Sequence, residues 1–361
     1  MKSSLAIALS GGVDSLVAAA LLKEQGHRLI GLHFVTGYET NPSSSGSAPS
    51  DSAVDDADTP ARRTMDILSH QLGIPVHIID LRADFQSQVV NYFVGTYASG
   101  KTPNPCLICN PTIKFGILLS KAKVFGASRI ATGHYARIDT SDAGRIRLLR
   151  GIDKKKEQSY FLSRLTQDQL ASAVLPLGTM TKAQTRRVAQ AKGLSPVTIK
   201  ESQDVCFIKD RNYADFLIHQ PGFSFSAGPI ENTRGQTVGQ HKGLHRFTIG
   251  QRRGINCPAA EPYYVVRLDP SRNCLVIGSK DELYKGSCHV DRINWIAPPP
   301  TVPIAINVKV RYRHSAAAAT LTPLGGSRAE ISFETPEPAV TPGQGAVFYQ
   351  GEEVLGGGWI E

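Results

Sequence analysis

Ser10-Gly11-Gly12-Val13-Asp14-Ser15 follows directly on the apolar run Leu5-Ala6-Ile7-Ala8-Leu9. A strand that ends in two glycines and reopens as a helix leaves backbone N–H groups at a positive helix terminus. With the two serine hydroxyls, those groups form a cradle for phosphate. The glycines remove Cβ atoms that would hold an anion away. The hexapeptide contains no lysine, whereas Walker-type loops use one to reach the β- and γ-phosphates. A lysine-free loop of this kind suits ATP cut between its α- and β-phosphates, with pyrophosphate held. Asp14 either caps the helix or suits magnesium. The plain alternative is a Gly-rich turn, against which strand, loop and helix fall in order.

Thiols form the second reactive set. Cys106 and Cys109 stand at C-x-x-C spacing after Pro103-Asn104-Pro105, read as a proline-stiffened loop, and Cys206 lies far along in Glu201–Phe207. Thiolates are protein nucleophiles and metal ligands, and a basic surround is expected to lower their pKa. Cys257, Cys274 and Cys288 are solitary in β-rich stretches and read as packing residues. No second C-x-x-C accompanies the first, which argues against a closed zinc site. His134, in Thr132-Gly133-His134-Tyr135, reads either as a satisfied turn histidine or as a functional one. Gly95–Thr102 matches a Walker pattern letter for letter, but a helical stretch precedes it and Pro103 follows, so it is rejected.

These residues need a scaffold. Through roughly the first 200 residues, short apolar strands (Leu29–Val35, Val76–Leu81, Arg129–Thr132) alternate with amphipathic helices (Ala61–Leu72, Ile113–Phe125). That rhythm predicts an α/β doubly wound parallel sheet, with ligands beyond the strand carboxyl ends. Thr36–Pro60 reads as a long loop, either a lid or an insertion. After about Asp210 the texture turns glycine-rich, with β-prone pieces such as Arg246–Ile249. Strands at Ile304–Tyr312, Arg328–Phe333, Gly345–Tyr349 and Gly356–Ile360 suggest a C-terminal β-barrel. The expected domains are 1–210 for catalysis, 211–285 as a small β-rich linker and 286–361 as the barrel.

Charge narrows the partner. Of the net +9, residues 101–200 hold 18 Lys and Arg against 5 Asp and Glu, a local +13, so the remainder sums to −4. Lys121, Lys123, Arg145, Arg147, Arg150, Lys154–Lys156 and Arg186-Arg187 lie in this block, which is read as a nucleic-acid surface. Its bland counterpart is a solvated basic face. No apolar stretch approaches the ~20 residues of a membrane span, and the N-terminus is too weakly apolar for a signal peptide, so a cytoplasmic protein is expected.

Several ordered stretches carry a resemblance to the tRNA-specific 2-thiouridylases of the PP-loop ATP pyrophosphatase group. They are Ala8–Ser15, Thr102–Phe115, Ala131–Tyr135, Glu157–Leu162, Val205–Ile208, Thr341–Gln344 and Gly356–Gly358. The resemblance implies that Ala8, Leu9, Ser10, Gly11, Gly12, Val13, Asp14 and Ser15 bind ATP with Phe34 and Gly133. It implies Cys109 as nucleophile and Cys206 as persulfide carrier, the two passing through a disulfide. It places Asn104, Pro105 and Cys106 at the target base. It puts His134, Lys156, Glu157, Gln158, Arg311, Tyr312 and Gln344 against tRNA. The activity it implies is adenylation of the C2 oxygen of the wobble uridine, followed by sulfur replacement, with sulfur from a donor protein or sulfide.

The commoner family pattern has Asp where this chain has Cys106. Three thiols, Cys106, Cys109 and Cys206, suit a [4Fe–4S] cluster with one open iron, an alternative to the persulfide. Two other readings compete with thiolation: a PP-loop ligase acting on a small molecule, and a non-catalytic RNA-binding module. Neither accounts for the basic block together with distant reactive cysteines.

Overall fold

The computed structural model describes residues 4–39, 59–197, 205–208, 212–258 and 261–361. Most of the loop expected at 36–60 lies outside them, as do residues 201–204 ahead of Cys206. The chain divides into two compact units. The first comprises Met1–Val89, Cys106–Lys209 and Glu352–Leu355; the second comprises Val90–Pro105, Asp210–Gly351 and Gly356–Glu361.

The chain opens with β1 (Ser4–Ala8), α1 (Val13–Glu24), β2 (Arg28–Val35), α2 (Pro60–Leu72) and β3 (Val76–Asp80). Helix α3 (Arg82–Phe85) passes through a π-helical turn, Gln86–Val90, into α4 (Asn91–Ala98). Next come α5 (Cys106–Cys109), a π-helix at Asn110–Ile117 and α6 (Leu118–Val124). They are followed by β4 (Arg129–Ala131), the hairpin β5 (Ala136–Thr140) and β6 (Ile146–Arg150), α7 (Gln167–Ser172), β7 (Ala173–Val174) and α8 (Lys182–Ala191).

In the first unit the strands pair in parallel in the order β3-β2-β1-β4-β7. The order reverses at β1, so the carboxyl ends of β1 and β4 flank the switch point where such sheets bind ligands. Helix α1 is apolar on most of its circumference and buries Leu16, Val17, Ala18 and Ala19 against Leu5, Ile7 and Leu9. Helix α2 is one-sided: Met65, Leu68 and Leu72 face that core. Its start is fixed by the Thr59 side chain accepting from Arg62 N at 3.2 Å and by Pro60; Gly73, left-handed at φ +57, stops it.

The second unit continues with α9 (Tyr213–Ile218), β8 (Gly228–Asn232), β9 (Thr237–His241), β10 (Tyr264–Asp269) and β11 (Cys274–Gly278). These strands form a sheet ordered β10-β11-β8-β9 over Ile230, Val265, Leu275 and Ile277. Arg246–Ile249 is not a strand there, contrary to expectation. Leu244–Arg246 is a 3-10 turn and Phe247 drops into the core, so burial of one ring overrides the β propensity of the piece.

The barrel strands are β12 (Tyr284–Trp295), β13 (Ile304–Lys309), β14 (Ala317–Pro323), β15 (Ala329–Pro338), β16 (Gly345–Gln350) and β17 (Glu353–Ile360). They run β12-β15-β14-β13-β16-β17 and close antiparallel through β12 and β17, with Val290 opposite Ile360 and Trp295 opposite Gly356. Alternation is clear in β13, where Ile306 and Val308 are buried while Ala305 and Asn307 face out. That strand ends at Lys309 rather than Tyr312. Arg311 is drawn instead into bonds with the Ile249 carbonyl oxygen (2.7 Å) and the Thr341 hydroxyl.

Candidate functional site

The loop after β1 is built as a cradle. Ser15 Oγ donates to the Gly12 carbonyl oxygen at 2.9 Å and lies 3.3 Å from Ser10 Oγ. Gly11 sits at φ +77, where a side chain would strain the backbone. Gly12 precedes α1 with no side-chain cap, so the first-turn amides are left for an anion. Gly133 follows β4, the parallel neighbour of β1. A Cβ there would lie 2.9 Å from the Asp14 carbonyl carbon and 3.0 Å from Ser15 N, so only glycine lets this turn rest on the loop. Leu9 N donates to the Leu32 carbonyl oxygen at 2.9 Å, which ties the loop to β2, whose penultimate residue is Phe34. The ATP-binding residues expected from sequence are thus gathered at the switch point.

Two residues that sequence reasoning missed stand behind Asp14. Lys182 Nζ reaches both Asp14 carboxylate oxygens at 2.8 Å, and the Tyr135 hydroxyl donates to Asp14 Oδ1 at 2.7 Å. Lys182 is buried, its side chain only 8% exposed. Burial, reinforced by the Asp14 carboxylate, pushes the Tyr135 phenol far above its ordinary range. The available signal was the Thr181-x-x-Gln184 capping box, which puts Lys182 at the first position of α8. A cation there runs against the helix dipole and asks for a reason.

Cys106 and Cys109 lie on α5, not on a loop. Pro105 precedes the helix, a place proline favours. Asn110 Nδ2 then staples the turn by donating to the carbonyl oxygens of Cys106 and Phe161, each at 3.0 Å. The helix widens into the π segment at Asn110, which accommodates Pro111. A Cβ at Gly116 would stand 2.7 Å from the Pro111 carbonyl oxygen. Lys114 follows Cys109 by five residues, the hydrogen-bond span of a π turn, and acts on that thiol. Cys206 lies in the described turn at 205–208, anchored by buried Phe207.

The three thiols sense one another, and Lys114 acts on each. Their pKa values nevertheless move up, contrary to the expectation from local charge. Burial dominates at Cys106, carried to about 11, and at Cys109, carried to about 12; desolvation by its neighbours also raises Cys206, which is nonetheless exposed at the surface. All six cysteines are free thiols. His134 Nδ1 lies 2.8 Å from Thr132 Oγ1. Burial first, then Lys114, holds this imidazole well below its ordinary pKa and therefore neutral near pH 7. Among the described residues, no three or more His, Cys, Asp or Glu side chains are arranged to hold a metal ion.

The residues expected at RNA fall into both units. In the first, Glu157 is buried and accepts from Ser159 N at 2.5 Å, while Gln158 Oε1 accepts from Tyr135 N at 3.0 Å. Both side chains are held by the fold; Lys156 is half-buried. In the second, Asn104 and Pro105 are buried, and Gln344 Nε2 donates to the carbonyl oxygens of Thr102 (3.1 Å) and Pro103 (2.9 Å). Tyr312 is half-buried under Lys309, whose Nζ is 5.4 Å from its ring centre.

The basic block is less open than its count suggested. Arg145 pairs with Glu353 at 2.7 Å, Arg147 with Asp139 at 2.6 Å and Arg137 with Glu352 at 2.9 Å. Carboxylates brought in by the hairpin and by the start of β17 neutralise these arginines. Lys121 and Lys123 on α6, Lys154, Lys155 and Arg187 remain exposed. No described helix is long and apolar enough to cross a membrane.

Three family descriptions match the chain in order: a tRNA methyl transferase HUP domain over residues 3–210, a tRNA methyl transferase PRC-barrel domain over 214–279, and an aminomethyltransferase β-barrel domain over 285–360. A protein of Desulfosudis oleivorans named tRNA-specific 2-thiouridylase MnmA is 49% identical, over 99% of this chain and 94% of its own length. Proteins of the same name from Geotalea uraniireducens and Geobacter metallireducens are 44% and 43% identical, over the whole of this chain and 95% and 97% of theirs.

Proposed function

Because the chain belongs to the tRNA-specific 2-thiouridylase family, we propose that it adenylates the C2 oxygen of the wobble uridine of tRNA and replaces that oxygen with sulfur. One observation supports this reading above the rest. Within the first unit, the phosphate cradle, Gly133-His134 and the three thiols are linked through neighbouring contacts, with Lys114 acting on His134 and on every thiol. A nucleotide site and a sulfur site in one unit are what coupled activation and sulfur transfer require.

The chemistry follows from the groups present. A carbonyl oxygen is a poor leaving group until its attack on the α-phosphorus of ATP, which expels pyrophosphate, turns it into a phosphate ester. The terminal sulfur of a persulfide on Cys206 then adds to C2, and AMP departs with the electrons of the C2–O bond. The Cys109 thiolate attacks the Cys206 sulfur and breaks the S–S bond. This leaves C2=S and a Cys109–Cys206 disulfide, which an external dithiol reduces. A persulfide-bearing donor protein recharges the Cys206 thiol by handing over its outer, sulfane sulfur; sulfide can instead attack the Cys109–Cys206 disulfide at Cys206, leaving the Cys206 persulfide and expelling the Cys109 thiolate. Neutral His134 is available to accept a proton beside this centre. The base leaves its stack to reach the site, as substrates of base-modifying enzymes do. In this reading residues 286–361, with Arg311, Tyr312 and Gln344, contact the tRNA.

Asp14 is the carboxylate that would meet magnesium: Lys182 contacts both its oxygens, and Oδ2 keeps a further lone pair for an ion. No step is routed through that ion or through iron. Incubation with ATP, unmodified tRNA and sulfide, followed by mass spectrometry of nucleosides, tests the proposal. Anticodon 2-thiouridine with equimolar AMP and pyrophosphate is expected; ADP, or unchanged uridine, overturns it.

A further inference from the structure

One stretch of the second unit gathers cations without a carboxylate. Between Glu231 and Glu261 the chain holds Arg234, Lys242, Arg246, Arg252 and Arg253 and no Asp or Glu. Lys242 and Arg246 are exposed, and neither forms an ion pair among the described residues. They flank in the chain Gly243 and His245, the two residues on which the Phe225 ring is seated. Phe225 is 48% exposed, yet its ring centre stands 4.6 Å from that of His245, which is only 3% exposed. Phe223 meets the same imidazole edge-on at 5.4 Å. Gly243, at φ +128, clears the space: a Cβ there would stand 3.1 Å from Phe225 Cδ2 and 2.5 Å from His245 Cε1. His245 is a costly support, because neither ring nitrogen has a hydrogen-bond partner among the described residues. Burial first, then Arg246 and His241, holds its pKa down, so it packs as a neutral ring. An aliphatic side chain would fill the place without orphaned nitrogens but give the phenyl ring no aromatic partner.

We propose that Phe225 is a stacking platform for an unpaired base of tRNA, with Lys242 and Arg246 taking the phosphates beside that base. This rests on tRNA being the substrate, though not on the sulfur chemistry. Aromatic faces accept any base, and they suit single-stranded loops, whose bases are free to splay out. Continuity favours the same partner. The segment runs on from Arg246 to Ile249, whose carbonyl oxygen accepts from Arg311 at 2.7 Å. Arg311 and Tyr312 are the barrel residues that the resemblance sets against tRNA, so the platform extends their strip within one unit.

Fluorescence anisotropy of the full-length protein with unmodified tRNA, over a salt series, tests it. Phe225→Leu keeps an apolar side chain but no π-face, and should weaken tRNA binding about tenfold. Phe225→Trp should retain the parent affinity. Lys242→Gln and Arg246→Gln should each weaken binding at low salt and flatten the slope of log affinity against log salt by about 0.7–0.9. ATP affinity and melting temperature should stay where they are in all four. A tRNA affinity within about twofold of the parent in Phe225→Leu, equal losses for Phe225→Leu and Phe225→Trp, or an unchanged salt slope in the glutamine variants overturns the proposal. The first and last together leave the patch to an acidic protein surface. If Phe225→Leu melts early, the double variant Lys242→Gln/Arg246→Gln, changed only at exposed positions, decides by its salt slope. A protein whose tRNA affinity follows these residues but which makes no 2-thiouridine leaves the platform standing and removes the sulfur-transfer reading.

Discussion

Phe207 meets Phe85 edge-on with ring centroids 5.6 Å apart, and Tyr38 closes a triangle at 5.8 Å from the one and 6.1 Å from the other. Tyr38 is in turn fixed by its hydroxyl, which donates to Gln86 at 2.6 Å. Cys206 is the next residue in the chain, so this aromatic triangle is the footing of the thiol proposed to carry sulfur.

Phe207→Ala should therefore cost about 3 kcal/mol of stability, the usual loss for a buried phenyl ring. Cys206 should become faster to alkylate while Cys106 and Cys109 do not. Peptide mass spectrometry after timed iodoacetamide treatment reads this directly, and unaltered labelling of Cys206 would show that its position is set elsewhere.

Asp14→Ala leaves the Lys182 ammonium buried without its carboxylate. The expected loss is about 1–3 kcal/mol, below the full value for a buried pair because a third of the Asp14 side chain is exposed. Thermal melting should find Asp14→Ala less stable than Asp14→Ala/Lys182→Met, since the second change removes the stranded charge. The reverse order would mean that the pair does not couple.

Cys109, raised to about 12 by burial, is a thiol throughout the physiological range. A raised pKa means that thiolate appears only as pH climbs. Its alkylation in the resting protein should rise about tenfold per pH unit between about pH 7 and pH 10. A plateau near pH 8 would reveal an ordinary thiol and contradict the burial argument.

Gln344→Ala removes two bonds to the carbonyl oxygens of Thr102 and Pro103, each worth about 1 kcal/mol. The loosened segment leads into Asn104 and Pro105. Hydrogen exchange at residues 101–104 should accelerate, including the Thr102 amide now bonded to the Pro342 carbonyl oxygen at 2.9 Å. The KM for tRNA should rise with that for ATP unchanged.

What could be read from the sequence was local. The run Leu5–Ser15 specifies strand, glycine turn and helix within one short window, and the cradle stands where that window places it. Lys182 escaped because its partner is 168 residues away. In isolation, Thr181–Lys192 is one more basic amphipathic helix whose Arg186 and Arg187 draw the eye. The helical setting of Cys106 and Cys109 was hidden by Pro105 and Pro111, which suggest a loop to any local rule. Pro105 opens the helix and a π segment absorbs Pro111. The hairpin β5–β6 was missed because its strands are short and mix charge with apolar residues. What defines it is pairing, Ala136 with Arg150 through Thr140 with Ile146, which no single strand encodes.

The wide turn at Asn110–Ile117 makes the spacing between thiol and ammonium a matter of rotational phase. An ordinary helix advances about 100° per residue. Losing one residue from this segment, or tightening it to the common repeat, would swing Lys114 round to another side of the cylinder while every side chain stayed present. A swapped side chain here would be a local injury, whereas a one-residue indel would turn Lys114 away from Cys109.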